Sequence, residues 1–277
     1  MTVRPPAVAG SFYPAQPVAL RAMVARLLDE AHPPVAGQVP DAGHPPDAGH
    51  VALGGPRGAL VPHAGYMYSG RVAASAYRHL VGSRNRFQRV VLIGPAHFVP
   101  VAGVAISTAA GFATPLGDLP VDETARAAAL GVAGVYADDA PHEPEHCLEV
   151  QLPFLLQTLG EIPIVPLVVG RADTAEVAAL LDALWTPDSL LLVSSDLSHY
   201  LDLAAARARD SRTVQAILNR DPAGVADGDA CGSYAVRPLL ASAAARAMSM
   251  TLADMGTSAD AGGDPRRVVG YASVLVS

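Results

Sequence analysis

Three apolar runs in this chain each end in a group able to move a proton or hold a metal. Ala59-Leu-Val61 leads into Pro62-His63-Ala-Gly-Tyr66, and Arg89-Val-Val-Leu-Ile-Gly94 leads into Pro95-Ala-His97. Leu190-Leu-Leu-Val193 leads into Ser194-Ser-Asp196-Leu-Ser-His199. Imidazole is both the commonest protein metal ligand and the side chain that titrates nearest neutrality. Open parallel sheets bind ligands beyond the carboxyl ends of their strands. A lone histidine in such a loop is best read as satisfied by local hydrogen bonds. Three at equivalent strand ends, with Asp196 among them, predict one shared crevice, and the neighbouring prolines and glycines bend the backbone to leave room in it.

Two further stretches carry suitable groups. His146 and Glu149 are three residues apart at the start of a helix predicted over Glu145–Leu159, hence on one face. Cys231-Gly232 follows the polar turn Asp227-Gly-Asp-Ala and opens another predicted helix. A thiol there reads either as an acidified ligand or nucleophile or as a small buried residue. Cys147 is expected in the core. His142-Glu-Pro-Glu-His146 matches the HExxH string of zinc proteases. Pro144 breaks the helical turn which that chemistry needs, so Glu143 is expected to cap the helix and His142 to fall outside it.

The elements that must position these groups are set by periodicity. Helices are predicted around Leu20–Leu28 and over Ser69–Leu80, Asp122–Leu130, Glu145–Leu159, Thr174–Leu184, Leu203–Leu218 and Ser233–Ala247. Strands are predicted over Ala59–Val61, Arg89–Gly94, Val101–Ser107, Ile162–Val169, Leu190–Val193, Met248–Ala253 and Val268–Val276. Continuous apolar strands alternating with helices give an α/β fold with a mainly parallel mixed sheet flanked by helices. The tract from His32 to Gly55 is rich in Pro, Gly, Ala and Asp and repeats Pro40-Asp-Ala-Gly-His44 as Pro46-Asp-Ala-Gly-His50. It reads as a loop insertion, its histidines unfixed in geometry. The whole chain, 1–277, is expected to form one domain carrying this insertion.

Composition narrows the function. Twenty-six acids against 19 bases give a net charge of −7, which argues against a nucleic-acid surface. All the bases are Arg, and with no Lys there is no Schiff-base lysine and no Walker phosphate loop. Two cysteines are too few for a disulfide framework. No signal peptide or membrane span is legible, so a cytoplasmic protein without a membrane partner is expected.

Taken in order, these motifs resemble a known family. Ala9-Gly-Ser-Phe-Tyr-Pro14, Pro62-His-Ala-Gly-Tyr66, Gly94-Pro-Ala-His97, Thr114-Pro-Leu-Gly117, Glu145-His146 with Glu149 and Leu152-Pro-Phe154, Ser194-Ser-Asp196 with His199, and Cys231-Gly232 occur in this sequence in the Memo family. Prokaryotic members are also called AmmeMemoRadiSam system protein B. The resemblance spans nearly the whole chain outside the insertion. It implies a fold similar to class III extradiol dioxygenases, with His63, His97 and Cys231 as metal ligands and His146, Asp196 and His199 lining the same pocket.

Such a ligand set would make a non-haem metal site. Fe(II) is the preferred metal, and copper or zinc suits the same soft donors. His199 or His146 would handle a substrate proton, and Asp196 or Glu149 would orient a histidine. Redox or oxygenase-like chemistry on an unknown substrate is the leading expectation. The alternatives are a non-catalytic protein binding a peptide or small anion in the same crevice, and a zinc-dependent hydrolase.

Overall fold

The computed structural model describes residues 2–31 and 55–277. The insertion expected at 32–55 therefore lies almost wholly outside the described residues. Within them, the chain order is β1 (Val3–Arg4), α1 (Pro17–Glu30), β2 (Gly58–Val61), α2 (Tyr66–Tyr77), β3 (Arg89–Pro95), β4 (Val104–Ile106), β5 (Gly111–Thr114), β6 (Gly117–Pro120), α3 (Glu123–Leu130) and β7 (Val135–Ala137). It continues through α4 (Leu152–Thr158), β8 (Ile164–Val169), α5 (Thr174–Leu184), β9 (Ser189–Ser194), β10 (His199–Leu201), α6 (Leu203–Leu218), α7 (Ser233–Ala241), α8 (Ala243–Arg246), β11 (Met250–Thr257) and β12 (Val268–Val276). No described helix is long and apolar enough to cross a membrane.

The main sheet runs β10-β12-β2-β9-β3-β8-β4-β7, with β11 pairing β12. Its four central strands, β2, β9, β3 and β8, are parallel. Antiparallel pairs flank them at β12 with β2 and at β4 with β8. The expected mixed α/β architecture is thus present, parallel where it is buried on both faces. Period-2 alternation divides the core cleanly. Val90 and Leu92 of β3, with Leu190 and Leu192 of β9, pack on the face carrying α1, α2 and α4. Val91, Ile93, Leu191 and Val193 pack on the face carrying α5 and α7.

Two departures from expectation bear on the site. The helix predicted over Glu145–Leu159 does not begin at Glu145. Residues 149–151 form a 3-10 turn, and the α-helix covers only Leu152–Thr158. Pro153 explains this, because proline is tolerated in a first helical turn and breaks a helix interior. Consequently Glu143 caps no helix, and the HExxH string lies on irregular backbone. A small second sheet, β1-β5-β6, was also not anticipated. Its β5–β6 hairpin closes through Pro115-Leu116, inside the Thr114-Pro-Leu-Gly117 motif.

A candidate metal centre at the strand ends

Strands β2, β9 and β3 are neighbours in the sheet, so His63, Asp196 and His97 leave it side by side. The ring centroids of His63 and His97 are 5.1 Å apart, and His146 lies 5.5 Å from the first and 4.8 Å from the second. One ligand atom from each of the three falls within 4.8 Å of the others. Donors bound to one ion at about 2.1 Å sit about 3.4 Å apart in a tetrahedron, so only slight closure is needed.

Hydrogen bonds fix which ring nitrogens are free. Ser194 Oγ has one proton, which it donates to Cys147 O at 2.7 Å. Gln151 Nε2 donates to Ser194 Oγ at 2.9 Å and to Pro62 O at 3.0 Å. His63 Nδ1, 3.0 Å from Ser194 Oγ, must therefore also donate, leaving Nε2 as a bare lone pair. His97 Nδ1 lies 2.8 Å from Glu145 Oε1, and its N–H donates to that carboxylate, so Nε2 is bare again. Burial raises the Glu145 carboxyl, but the His97 bond and nearby amides outweigh it and hold it at about 2. Burial, with His97 beside it, lowers His63 to about 3. Burial and His63 lower His146 to about 4. The first keeps an ionised carboxylate behind the cluster, and the other two keep His63 and His146 neutral, the state in which histidine binds metals.

Cys231 reaches this cluster through His63, with Sγ 3.2 Å from His63 Nε2. Gly232 makes the approach possible: its N–H donates to Ser195 Oγ at 2.9 Å, and a Cβ there would stand 2.7 Å from the Ser195 side chain. Burial and the nearby Asp196 push the thiol up to about 12, so it stays protonated unless a cation binds it.

Asp196 is buried, and its Oδ1 accepts the His63 backbone N–H at 2.7 Å, fixing that turn. Burial raises its carboxyl. His199 is held by Nδ1–H donation to Leu197 O at 2.8 Å, so its Nε2 is free. Its ring lies close enough to His63 and Asp196 to bear on the ionisation of both.

Glu149 is not brought into this group. Its fully buried carboxylate accepts from Arg4 Nη1 at 2.8 Å, Ala7 N at 2.7 Å, Val8 N at 3.0 Å and Tyr13 OH at 2.6 Å. Because residues 145–148 are not helical, it does not share a face with His146. It anchors the N-terminal segment instead, which lays Phe12 against His146 at 4.7 Å. Cys147 is fully buried, as expected.

Sequence reasoning missed Glu145, Ser194 and Gln151 as orienting groups. Glu145 adjoins His146 and was open to notice. The other two are identified only by what folding places beside them.

The sequence matches the family described as Memo-like protein over residues 4–275. A MEMO1 family protein of Ignicoccus hospitalis is 37% identical, over 99% of this chain and 98% of that one. Another from Pyrobaculum arsenaticum is 35% identical over 99% of both chains, and one from Thermotoga petrophila is 34% identical over 99% of both. The crystal structure of an uncharacterized protein from Escherichia coli K12 has a TM-score of 0.53 at 15% identity, over 79% of this chain and 99% of that one, a likeness of fold alone.

Proposed function

The chain belongs to the Memo family, and on that premise we propose that it holds one transition-metal ion between His63, His97 and Cys231, with His146 beside them, for redox or oxygenase-like chemistry. The observation that carries this reading is the pair of enforced tautomers: Ser194 and Glu145 each take an Nδ1 proton and leave an Nε2 lone pair facing one small space. Fe(II) is the preferred occupant, and the thiol with imidazoles would also accept copper or zinc.

A bound metal would supply an open coordination position and, for iron or copper, a one-electron couple. The chain's own groups do the rest. Glu145 holds His97 in place by two contacts, since its Oε2 also accepts the His97 backbone N–H at 2.8 Å. His199 presents Nε2 as a proton acceptor within the electrostatic reach of Asp196. Phe12 and the exposed Phe98 flank His146, with ring centroids 4.7 Å and 5.8 Å away.

The test is elemental analysis after anaerobic purification of wild type beside His97→Ala and Cys231→Ala. Near-stoichiometric iron or copper, lost in both variants, supports the reading. Zinc without any response to O₂ would move it to hydrolysis. No metal in wild type, or metal indifferent to both changes, would overturn it.

A further inference from the structure

One residue beyond His199, the backbone does something costly. Tyr200 has φ 62°, a left-handed conformation that a bulky residue adopts rarely. It lies at an irregularity in the pairing of β10 with β12, where His199 opposes Val269 and Leu201 opposes Val268, so Tyr200 is an extra residue between them. Bulges beside functional sites typically redirect a side chain. Here the redirected ring is 62% exposed and buries nothing that would explain the strain.

What the ring does is support a guanidinium. The Arg267 guanidinium carbon lies 4.2 Å from the Tyr200 ring centroid, and the His199 and Tyr200 rings meet T-shaped with centroids 5.6 Å apart. Neighbouring Arg266 is committed to Asp264, 2.8 Å away. Among the described residues, no carboxylate lies within salt-bridge reach of Arg267. A cation resting on an aromatic face keeps its N–H edges free, and those edges match a carboxylate or phosphate in bidentate geometry. The result is a row of His199, Tyr200 and Arg267 leading from the histidine pocket to an uncommitted positive charge.

We propose that Arg267, shelved on Tyr200, reads an anionic group on the molecule whose other end enters the histidine pocket, so that the ligand of this site is an acid and not a neutral compound. This rests on the reading of that pocket as the ligand site, and it names the ligand's charge.

The test uses the metal-free full chain, so that its outcome is separate from metal content. Glutarate and its neutral diamide, glutaramide, are titrated while the Arg267 Nε–Hε and His199 ring NMR resonances are followed. Glutarate is expected to move both along one saturating curve, and glutaramide neither. Arg267→Gln should weaken glutarate binding about tenfold, the loss expected for a charge-assisted hydrogen bond. Tyr200→Gly supplies the readout a merely structural role would not give. Glycine relieves the left-handed strain, so thermal stability should hold or rise while glutarate binding falls. Equal response to glutarate and glutaramide, a His199 response that persists in Arg267→Gln, or Arg267 shifts without His199 shifts would each overturn the proposal. Absence of metal from wild type would instead overturn the proposed metal centre and leave this one standing.

Discussion

Glu145 Oε1 lies 2.8 Å from His97 Nδ1, and the same carboxylate accepts the backbone N–H groups of His97, His146 and Cys147. One side chain therefore sets the tautomer of one histidine and the backbone of the next. The His146 and Cys147 amides belong to the irregular turn preceding α4, whose start Pro153 delays.

Glu145→Gln keeps the shape and loses the charge. Metal affinity, measured by competition with a chromophoric chelator, is expected to fall about 10- to 100-fold, as for other carboxylates behind metal-bound histidines. Unchanged affinity would show that His97 is oriented by something else.

The metal-free protein should lose stability in mild acid. His63 and His146 titrate lower in the folded chain, at about 3 and about 4, than the ordinary 6.5. The unfolded chain therefore binds protons first as pH falls. The stability these two groups contribute is complete above about pH 6.5 and shrinks steadily from there toward pH 4, by up to about 1.4 kcal/mol per pH unit for each. Denaturant midpoints across pH 4–7 measure this, and His146→Gln should flatten the slope. A slope that ignores that substitution would contradict the assignment.

Arg4 and Glu149 form a buried pair 2.8 Å apart, with both side chains almost wholly out of water. Arg4→Ala would strand the carboxylate and cost about 3–5 kcal/mol, whereas Arg4→Met with Glu149→Gln should cost less than the single change. Thermal unfolding of the two variants beside wild type decides it. A single substitution as mild as the double would mean the carboxylate is not stranded.

Gly94→Ala would drive a Cβ to within 2.6 Å of Cys147 Sγ, three residues before His97. Destabilisation of about 1–3 kcal/mol is expected from such overpacking. Adding Cys147→Ala should recover much of it, and failure of that rescue in urea titrations would place the strain elsewhere.

The sequence already exposed the strands and the three chemical groups at their ends, because apolar runs of β2, β3 and β9 are continuous and their polar exits abrupt. The adjacency of those strands, which makes one pocket of three loops, was an inference from fold class, and the pairings bear it out. Glu149 was misplaced because helical spacing was read through Pro153. Ser194 and Gln151 were illegible for a different reason. A hydroxyl and an amide acquire their role only from the imidazole that folding sets beside them, and nothing in local sequence marks it.

The clasp of Glu149 on Ala7, Val8 and Tyr13 joins residues 136 to 142 positions apart. Loop closure over such a span is entropically late, so this contact should form after the parallel core has assembled. Phe12, which lies against His146, must then arrive in the same closing event. Pulse-labelled amide exchange during refolding would find Ala7 and Val8 among the last protected, and protection of these two before β3 would refute it. That order would leave an interval in which His63 and His97 are already set and one wall of the pocket is still missing, the moment at which the proposed ion would load.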